Sequence, residues 1–160
     1  MRRMGWAATA AAVVAVAMGG ARIVGAEGPD NDGDGRFKQC SAATLRGDYG
    51  VQIQGTRPAP GGLTESVIGV VLRSYNGDGS FTQVDNVKGS ITGTVPDRPG
   101  FGTYEVNPDC TGLVRFQPGP GAPFIEERLV IVDGGREIRT AAMVPAGVMV
   151  TGVHQRVHSR

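Results

Sequence analysis

The chain of 160 residues carries 16 Lys and Arg against 15 Asp and Glu, which gives a formal net charge of +1 at pH 7. This is the length of a single domain, and a near-neutral chain without a basic block argues against binding to nucleic acid or an anionic membrane surface. The 26 Gly and 10 Pro residues punctuate β-rich segments and form no low-complexity tract.

The first 26 residues have the layout of a secretory signal peptide. A basic pair, Arg2 and Arg3, precedes an apolar run at residues 6–18, and small residues follow up to Ala26. The apolar run is shorter than the roughly 20 residues of a transmembrane helix, so an uncleaved anchor is the less favoured alternative. We expect a signal peptide helix of the Sec type, cleavage near Ala26, and a secreted or periplasmic protein with no stable membrane insertion afterwards.

Residues 27–39 are expected to form a flexible acidic leader. Asp30, Asp32 and Asp34 have the spacing of the first three ligands of a calcium loop. The position where such a loop carries a bidentate Glu is Ser41, and no apolar helices flank the segment. The three aspartates are therefore a weak calcium candidate, and a solvated tail is favoured over a metal site.

Two cysteines, Cys40 and Cys110, follow the leader. An even, small number of cysteines in an exported chain indicates a structural disulfide. A redox pair is the alternative, but the CxxC spacing typical of such pairs is absent. Closing a loop of this length would stabilise the fold by about 4 kcal/mol in the chain-entropy description.

Apolar and polar residues alternate with a period of two after Cys40, and Gly, Pro, Asn and Asp interrupt the alternation. This pattern predicts short β-strands separated by turns. Residues 56–62, 96–100 and 118–123 are expected to be loops or turns, and residues 76–79 (NGDG) a hairpin turn. The predicted strands are residues 49–54, 66–75, 81–87, 90–95, 102–106, 112–117, 124–132, 137–144 and 148–157.

Short connections between successive strands require antiparallel pairing, because parallel pairing needs long crossovers. A long meander buries one face by closing into a barrel or by folding into a sandwich, and closure also removes exposed edges. We therefore predict an all-β domain over residues 40–160. An antiparallel up-and-down barrel of about eight or nine strands is favoured over the sandwich.

Three segments are similar to known motifs. Residues 40–50 (CSAATLRGDYG) resemble a CSxATLxGxYG opening, residues 102–112 (GTYEVNPDCTG) resemble a GTYxVNPDCTG motif, and residues 75–81 (YNGDGSF) are similar to an FDGxGxF-type hairpin. Together they resemble a group of small exported bacterial β-barrel proteins, which are distantly similar to lipocalin-like and allene oxide cyclase-like barrels.

The resemblance covers nearly the whole exported chain. It implies a barrel, and because Cys40 and Cys110 both lie inside its motifs, it suits a bridge that ties the start of the domain to the turn beside Tyr104. It implies no chemistry, since a shared fold does not transfer a function.

Several large side chains fall on inward faces by alternation. They are Tyr49, Ile53, Phe81, Tyr104 and Phe116. Such residues fill the core of a small barrel or line a pocket for one apolar ligand. Core filling is favoured for the aromatic residues, and the same set is our candidate for ligand contacts.

His154 and His158 lie four residues apart in a predicted strand, where that spacing spans about 13 Å. They cannot bind one metal ion together, so we expect both at the surface end of a strand. No metal or other cofactor is predicted.

Glu126 and Glu127 are adjacent and must face opposite sides of a strand. They therefore do not form the pair of carboxyl groups that glycosidases place on either side of the scissile bond. We expect one of them to point into the barrel and to pair with Arg128 or Arg139. A catalytic carboxylate at the barrel mouth is the less favoured alternative, and no catalytic residue is assigned.

The leading hypothesis is an exported barrel that binds a small apolar molecule. One alternative is a structural or interaction protein of the cell envelope with a filled barrel. A cyclase- or isomerase-like enzyme is a further alternative, which needs a buried Glu, Arg or Tyr cluster in a cavity with shifted pKa values. It would be abandoned if Glu65, Glu126 and Glu127 were all exposed to solvent. The oligomeric state is left open.

Overall fold

The computed structural model describes residues 39–119 and 121–157. The predicted signal peptide, the acidic leader up to residue 38, the calcium candidate Asp30, Asp32 and Asp34, and His158 lie outside the described residues. Eight strands and three single-turn 3₁₀ helices make up the described part, which contains no α-helix. The strands are β1 (Arg46–Ala59), β2 (Leu63–Asn76), β3 (Ser80–Gly89), β4 (Gly93–Val106), β5 (Thr111–Phe116), β6 (Ile125–Val132), β7 (Glu137–Val144) and β8 (Met149–Arg156). The 3₁₀ helices are Ala42–Thr44, Pro60–Gly62 and Asp133–Gly135.

The eight strands form a closed barrel in which each strand pairs with its neighbours in the sequence. All pairs are antiparallel, and β8 closes the barrel on β1 with Arg156 opposite Tyr49 and Met149 opposite Thr56. The predicted antiparallel barrel is confirmed. Because the barrel is closed, each of the eight strands has a neighbour on both sides over at least part of its length. This removes the main route to edge-to-edge aggregation.

The prediction of two strands at residues 90–95 and 102–106, separated by a turn, is wrong, because residues 90–92 form the β3–β4 turn and β4 continues from Gly93 through the predicted turn at residues 96–100. Pro96 and Asp97 lie at a bulge in the pairing with β3, where Asp97 N donates to Asn86 Oδ1 at 3.1 Å. On its other side β4 pairs with β5 only from Gly102 onward. Pro99 therefore costs no ladder hydrogen bond on that side, because proline is tolerated at bulges and unpaired edges.

The loop predicted at residues 56–62 is also shorter than expected. β1 continues to Ala59 and pairs with β2 as far as Leu63, while its pairing with β8 stops at Thr56. Pro58 lies in this extension beyond β8, where a missing N–H is tolerated. The long β1–β2 hairpin therefore extends beyond the end of β8.

The hairpin turn predicted at residues 76–79 is confirmed between β2 and β3. Gly77 and Gly79 have φ of +82° and +97°, values that favour glycine. Asp78 Oδ1 accepts the Ser80 backbone N–H at 2.9 Å and closes the turn.

The connections of the barrel alternate between its two ends. One end carries the β2–β3, β4–β5 and β6–β7 connections, and we call it the closed end because residues 40–45 cover it. The opposite end, which we call the open end, carries the β1–β2, β3–β4, β5–β6 and β7–β8 connections. Residues 40–45 lie across the closed end: Leu45 is fully buried, and Tyr104 Oη lies 2.9 Å from the Leu45 carbonyl oxygen. The predicted disulfide between Cys40 and Cys110 is confirmed, and it fastens this segment to the β4–β5 connection. A disulfide is consistent with an oxidising compartment.

The aromatic core fills the closed half of the barrel. Tyr75 lies at its centre, with ring centroids 5.3 Å from Tyr49 and 5.0 Å from Tyr104, both edge to face. Phe81 packs beside Tyr75 at 5.6 Å.

None of the helices in the described ranges is long and apolar enough to span a membrane.

Candidate functional site

A cavity of about 440 Å³ lies in the open half of the barrel. Its volume falls in the range of about 300–1,000 Å³ that is usual for small-molecule sites. Proline-containing connections at the open end surround the entrance. The aliphatic side chains of its wall include Ile53, Val67, Val71, Val87, Ile125 and Val150.

The cavity follows from the order of inward-facing residues along β2. From the closed to the open end, the buried side chains on this strand are Tyr75, Arg73, Val71, Val67 and Glu65. Aromatic rings at one end give way to valines at the other. Eight strands set a nearly constant interior width, so smaller side chains leave space that larger ones would fill.

Polar side chains form the floor of the cavity, which we define as Arg73, Gln83 and Glu127. Arg73 Nε donates to Gln83 Oε1 at 2.9 Å, and Arg73 Nη1 lies 3.5 Å from Glu127 Oε2. The guanidinium also lies over two aromatic rings, 4.5 Å from the centroid of Phe81 and 5.2 Å from that of Phe116. These contacts hold a charged pair in place beneath an apolar space.

The floor keeps unused hydrogen-bonding capacity. Arg73 Nη2 and Glu127 Oε1 make no hydrogen bond with another described residue. Among the described residues, every side-chain nitrogen or oxygen that is fully shielded has a hydrogen-bond partner. Both atoms therefore have access to the cavity, where one offers donors and the other an acceptor.

A polar chain continues from the floor into the core. Tyr75 Oη lies 3.5 Å from Arg73 Nη1 and 3.3 Å from His154 Nδ1, and His154 Nε2 lies 3.3 Å from Thr140 Oγ1. Burial raises the pKa of the Tyr75 phenol. Burial and then the charge of Arg73 hold the pKa of His154 well below its usual range. Both side chains are therefore neutral at neutral pH.

The expectation of a surface position is wrong for His154, which is only 1% exposed. In the register of β8, His154 lies directly opposite Val51 of β1 and Ile138 of β7. Residues directly opposite each other in a sheet share one face, and both partners are buried. The position of His154 was thus set by its pairing with the preceding strand β7 and with β1, which is distant in sequence.

Glu127 is the member of the adjacent pair that points into the barrel, as expected of one of them. Its partner is Arg73 and not Arg128 or Arg139. Arg128 is exposed, and Arg139 Nε lies 2.7 Å from Glu137 Oε1. The assignment of the partner was therefore wrong, because the pair forms across the barrel and not between neighbouring strands.

Glu126 faces outward, where it accepts from Arg115 Nη2 at 2.7 Å. A bulge in the β6–β7 pairing falls between Glu126 and Glu127. The two adjacent carboxylates thus have separate partners and separate environments.

Glu65 organises the rim of the cavity. Its carboxylate accepts Arg57 Nε at 2.7 Å, the Thr92 backbone N–H at 2.9 Å and the Ile91 backbone N–H at 3.0 Å. The pKa of Glu65 is lowered to about 2. The hydrogen bond from the Thr92 backbone N–H lowers it most and outweighs burial, which acts to raise it. Arg57, the Thr92 hydroxyl and the Ile91 N–H lower it further. The ionised carboxylate joins the β1–β2 hairpin to the β3–β4 connection.

A third ion pair of the cavity lies on the wall between β3 and β4. Arg98 Nε and Nη2 donate to the two carboxylate oxygens of Asp85 at 2.9 and 3.0 Å. Asp85 Oδ2 also lies 3.4 Å from Gln83 Nε2, which links this pair to the floor. Two-point Arg–carboxylate pairs have a fixed geometry, so the pair keeps the wall in one arrangement.

The structure separates the five residues proposed for ligand contacts. Ile53 and Phe116 line the cavity, whereas Tyr49, Phe81 and Tyr104 pack in the closed half. Sequence reasoning missed the charged floor. One signal was available: Arg73 has the same alternation parity as the inward residues Val71 and Tyr75, so the pattern placed a charge inside the barrel.

Within the described residues, no three His, Cys, Asp or Glu side chains are grouped so as to hold a metal ion. Comparison of the chain with known proteins finds no matching family model, curated protein or solved structure. Function therefore has to be inferred from the cavity itself.

Proposed function

We propose that the protein is an exported β-barrel that binds a small, mainly apolar molecule in the cavity of its open half. The observation that carries this proposal is the unfilled volume of about 440 Å³ behind aliphatic walls. Removing apolar surface of a ligand from water is worth about 25 cal/mol per Å². The cavity supports ligand binding over the alternative of an interaction protein with a filled barrel.

The rim and the wall support the same proposal because they are already ordered. Glu65 at the rim and Asp85 on the wall are each held by an arginine and by further hydrogen bonds, so the site does not have to be assembled around a ligand. A preformed site avoids the entropy cost of ordering side chains on binding. Export is supported by the disulfide together with the predicted signal peptide.

Titration with the neutral apolar fluorophore N-phenyl-1-naphthylamine tests the proposal. Val67 lines the cavity, while Ile68 beside it is 60% exposed on the outer face. Val67→Trp should weaken probe binding by about tenfold or more, since the indole occupies the cavity, and Ile68→Trp should leave it unchanged.

Circular dichroism and thermal unfolding would confirm that both variants fold. A wild-type protein that does not bind the probe would overturn the proposal, as would equal loss of binding in both variants. Native mass spectrometry after incubation with a lipid and metabolite extract would then identify bound compounds.

A cyclase- or isomerase-like activity is the second candidate. The observation that favours it is the buried pair Arg73 and Glu127 at the cavity floor, with Tyr75 beneath Arg73, where the Glu127 carboxylate could accept a proton from a bound molecule. Isomerisation keeps the mass of a compound and changes its chromatographic retention. Conversion of an extracted compound by the wild type and not by Glu127→Gln would support this activity, and unchanged retention of every bound compound would exclude it.

A further inference from the structure

We infer that the ligand is a neutral amphiphile, an apolar body that carries a hydroxyl group, and that the hydroxyl binds the cavity floor between Arg73 and Glu127. This inference rests on the proposed function. It starts from the contrast between the walls, which are mainly aliphatic apart from the Arg98–Asp85 pair, and the floor, where Arg73 and Glu127 form an ion pair with unused hydrogen-bonding capacity.

The ion pair at the floor is incompletely satisfied by the protein. Arg73 and Glu127 are 3% and 6% exposed, yet they meet through one contact of 3.5 Å between Nη1 and Oε2. Charges taken out of water are costly unless hydrogen bonds satisfy their remaining donors and acceptors. A ligand group that supplies those bonds would therefore gain affinity at the floor.

The two atoms with access to the cavity have opposite hydrogen-bonding character. Arg73 Nη2 can only donate, whereas Oε1 is a carboxylate oxygen of Glu127 and accepts. A hydroxyl group accepts through its oxygen and donates through its hydrogen, so it can bond to both at once. An ether or a carbonyl group can bond only to Arg73, and a hydrocarbon to neither.

The charges around the cavity argue against an ionised ligand. Among the described residues, three arginines line it, and each is paired with a carboxylate: Arg57 with Glu65, Arg73 with Glu127, and Arg98 with Asp85. A ligand carboxylate on Arg73 would lie beside the like charge of Glu127, and an ammonium group on Glu127 would lie beside Arg73. Like charges at such distances disfavour binding, which leaves a neutral group as the best match.

Three compounds with the same alkyl chain test the inference by displacement of N-phenyl-1-naphthylamine at about pH 7.5, where a carboxylic acid is ionised. They are decanol, decanoate and decyl methyl ether. Decanol should displace the probe at a concentration about tenfold lower than either of the others, because only decanol satisfies both Arg73 and Glu127.

Glu127→Gln removes the negative charge at the floor. The preference of this variant for decanol over decanoate should therefore be about tenfold smaller than that of the wild type, or reversed. Glu126→Gln changes the adjacent carboxylate on the outer face and should keep the wild-type order. The comparison of the three compounds on the wild type decides the question even if Glu127→Gln does not fold.

Equal displacement by all three compounds, or strongest displacement by decanoate or the ether in the wild type, would overturn the inference while the proposed apolar site stands. Failure of the wild type to bind the probe at all would instead overturn the proposed function. Displacement by decanol that is equally strong in Val67→Trp would place binding outside the cavity and would also overturn the inference.

Discussion

Arg73 and Glu127 form an ion pair across the interior of the barrel, with Nη1 and Oε2 3.5 Å apart, although the two residues are separated by 54 positions in the chain. They lie on β2 and β6, which are four strands apart in either direction around an eight-stranded barrel. The pair therefore bridges opposite walls. It separates the aromatic core of the closed half from the cavity of the open half.

Removal of the Glu127 carboxylate should destabilise the fold. In Glu127→Ala, Arg73 keeps its burial and loses the only ionic partner that it has among the described residues, so we expect the free energy of unfolding to fall by about 3 kcal/mol. This is the lower end of the usual range, because water in the cavity can solvate part of the guanidinium. Urea denaturation at neutral pH measures the change.

Glu126→Ala is the matched control for that variant. Glu126 pairs with Arg115, whose side chain is 54% exposed, so its removal should cost less than about 1 kcal/mol. Equal losses of stability in the two variants would show that the interior pair has no special role.

The disulfide should contribute a large share of the stability of the domain. Cys40 and Cys110 are 70 residues apart, and opening such a loop by Cys40→Ala with Cys110→Ala should lower the free energy of unfolding by about 4 kcal/mol. A reductant should lower the melting temperature of the wild type and leave that of the double variant unchanged. A double variant as stable as the oxidised wild type would contradict this expectation.

Glu65 should stabilise the protein in a pH-dependent way. Its pKa is lowered from 4.5 to about 2, first by the Thr92 backbone hydrogen bond, so the unfolded chain binds its proton more readily than the folded chain does. The contribution is fully present above about pH 5 and is lost as the pH falls toward the folded value.

The difference in melting temperature between the wild type and Glu65→Gln measures this contribution. It should be constant from neutral pH to about pH 5 and should shrink toward about pH 2. The pKa values of Asp78 and Asp109 are also lowered, by hydrogen bonds from Ser80 and Thr111, but both remain in the variant and cancel in the difference. A difference that does not vary with pH would contradict the role given to Glu65.

His154 should make the fold sensitive to mild acid. Burial, and then Arg73, hold its pKa well below the value of 6.5, so below that pH the unfolded chain takes up a proton that the folded chain does not. Stability should therefore fall as the pH drops below about 6.5, by at most about 1.4 kcal/mol per pH unit from this group. The groups that face the ring are Arg73, Tyr75 and Thr140.

His154→Gln removes this titration and should flatten the dependence of stability on pH between about pH 6.5 and 5. Urea denaturation of both proteins across that interval measures the effect, and His158 is common to both. If the stabilities of the two proteins depend on pH in the same way, His154 binds a proton as readily in the folded chain as in the unfolded chain, which would contradict this prediction.

Local patterns in the sequence were sufficient for much of the fold. The period-two alternation predicted antiparallel strands, the glycines at residues 77 and 79 predicted the β2–β3 turn, and two cysteines predicted the disulfide. These features depend on neighbouring residues or on a covalent bond between a unique pair. Pro96 and Pro99 misled the prediction, because a proline inside a strand is tolerated only where a bulge or an unpaired edge is present, and the pairing decides that.

The candidate site depended on the tertiary structure. Alternation predicted that one of Glu126 and Glu127 faces inward, and the parity of Arg73 with Val71 and Tyr75 was an available signal that the sequence-based prediction did not use. Which inward residues meet depends on the number of strands and on their register, since contacts across a barrel join residues that no local pattern relates. The alternation of residues and the two cysteines were enough to predict an antiparallel β domain with a disulfide. Only closure of eight strands, with aromatic side chains gathered at one end and valines at the other, decided that the interior is partly hollow and that a buried ion pair forms its floor.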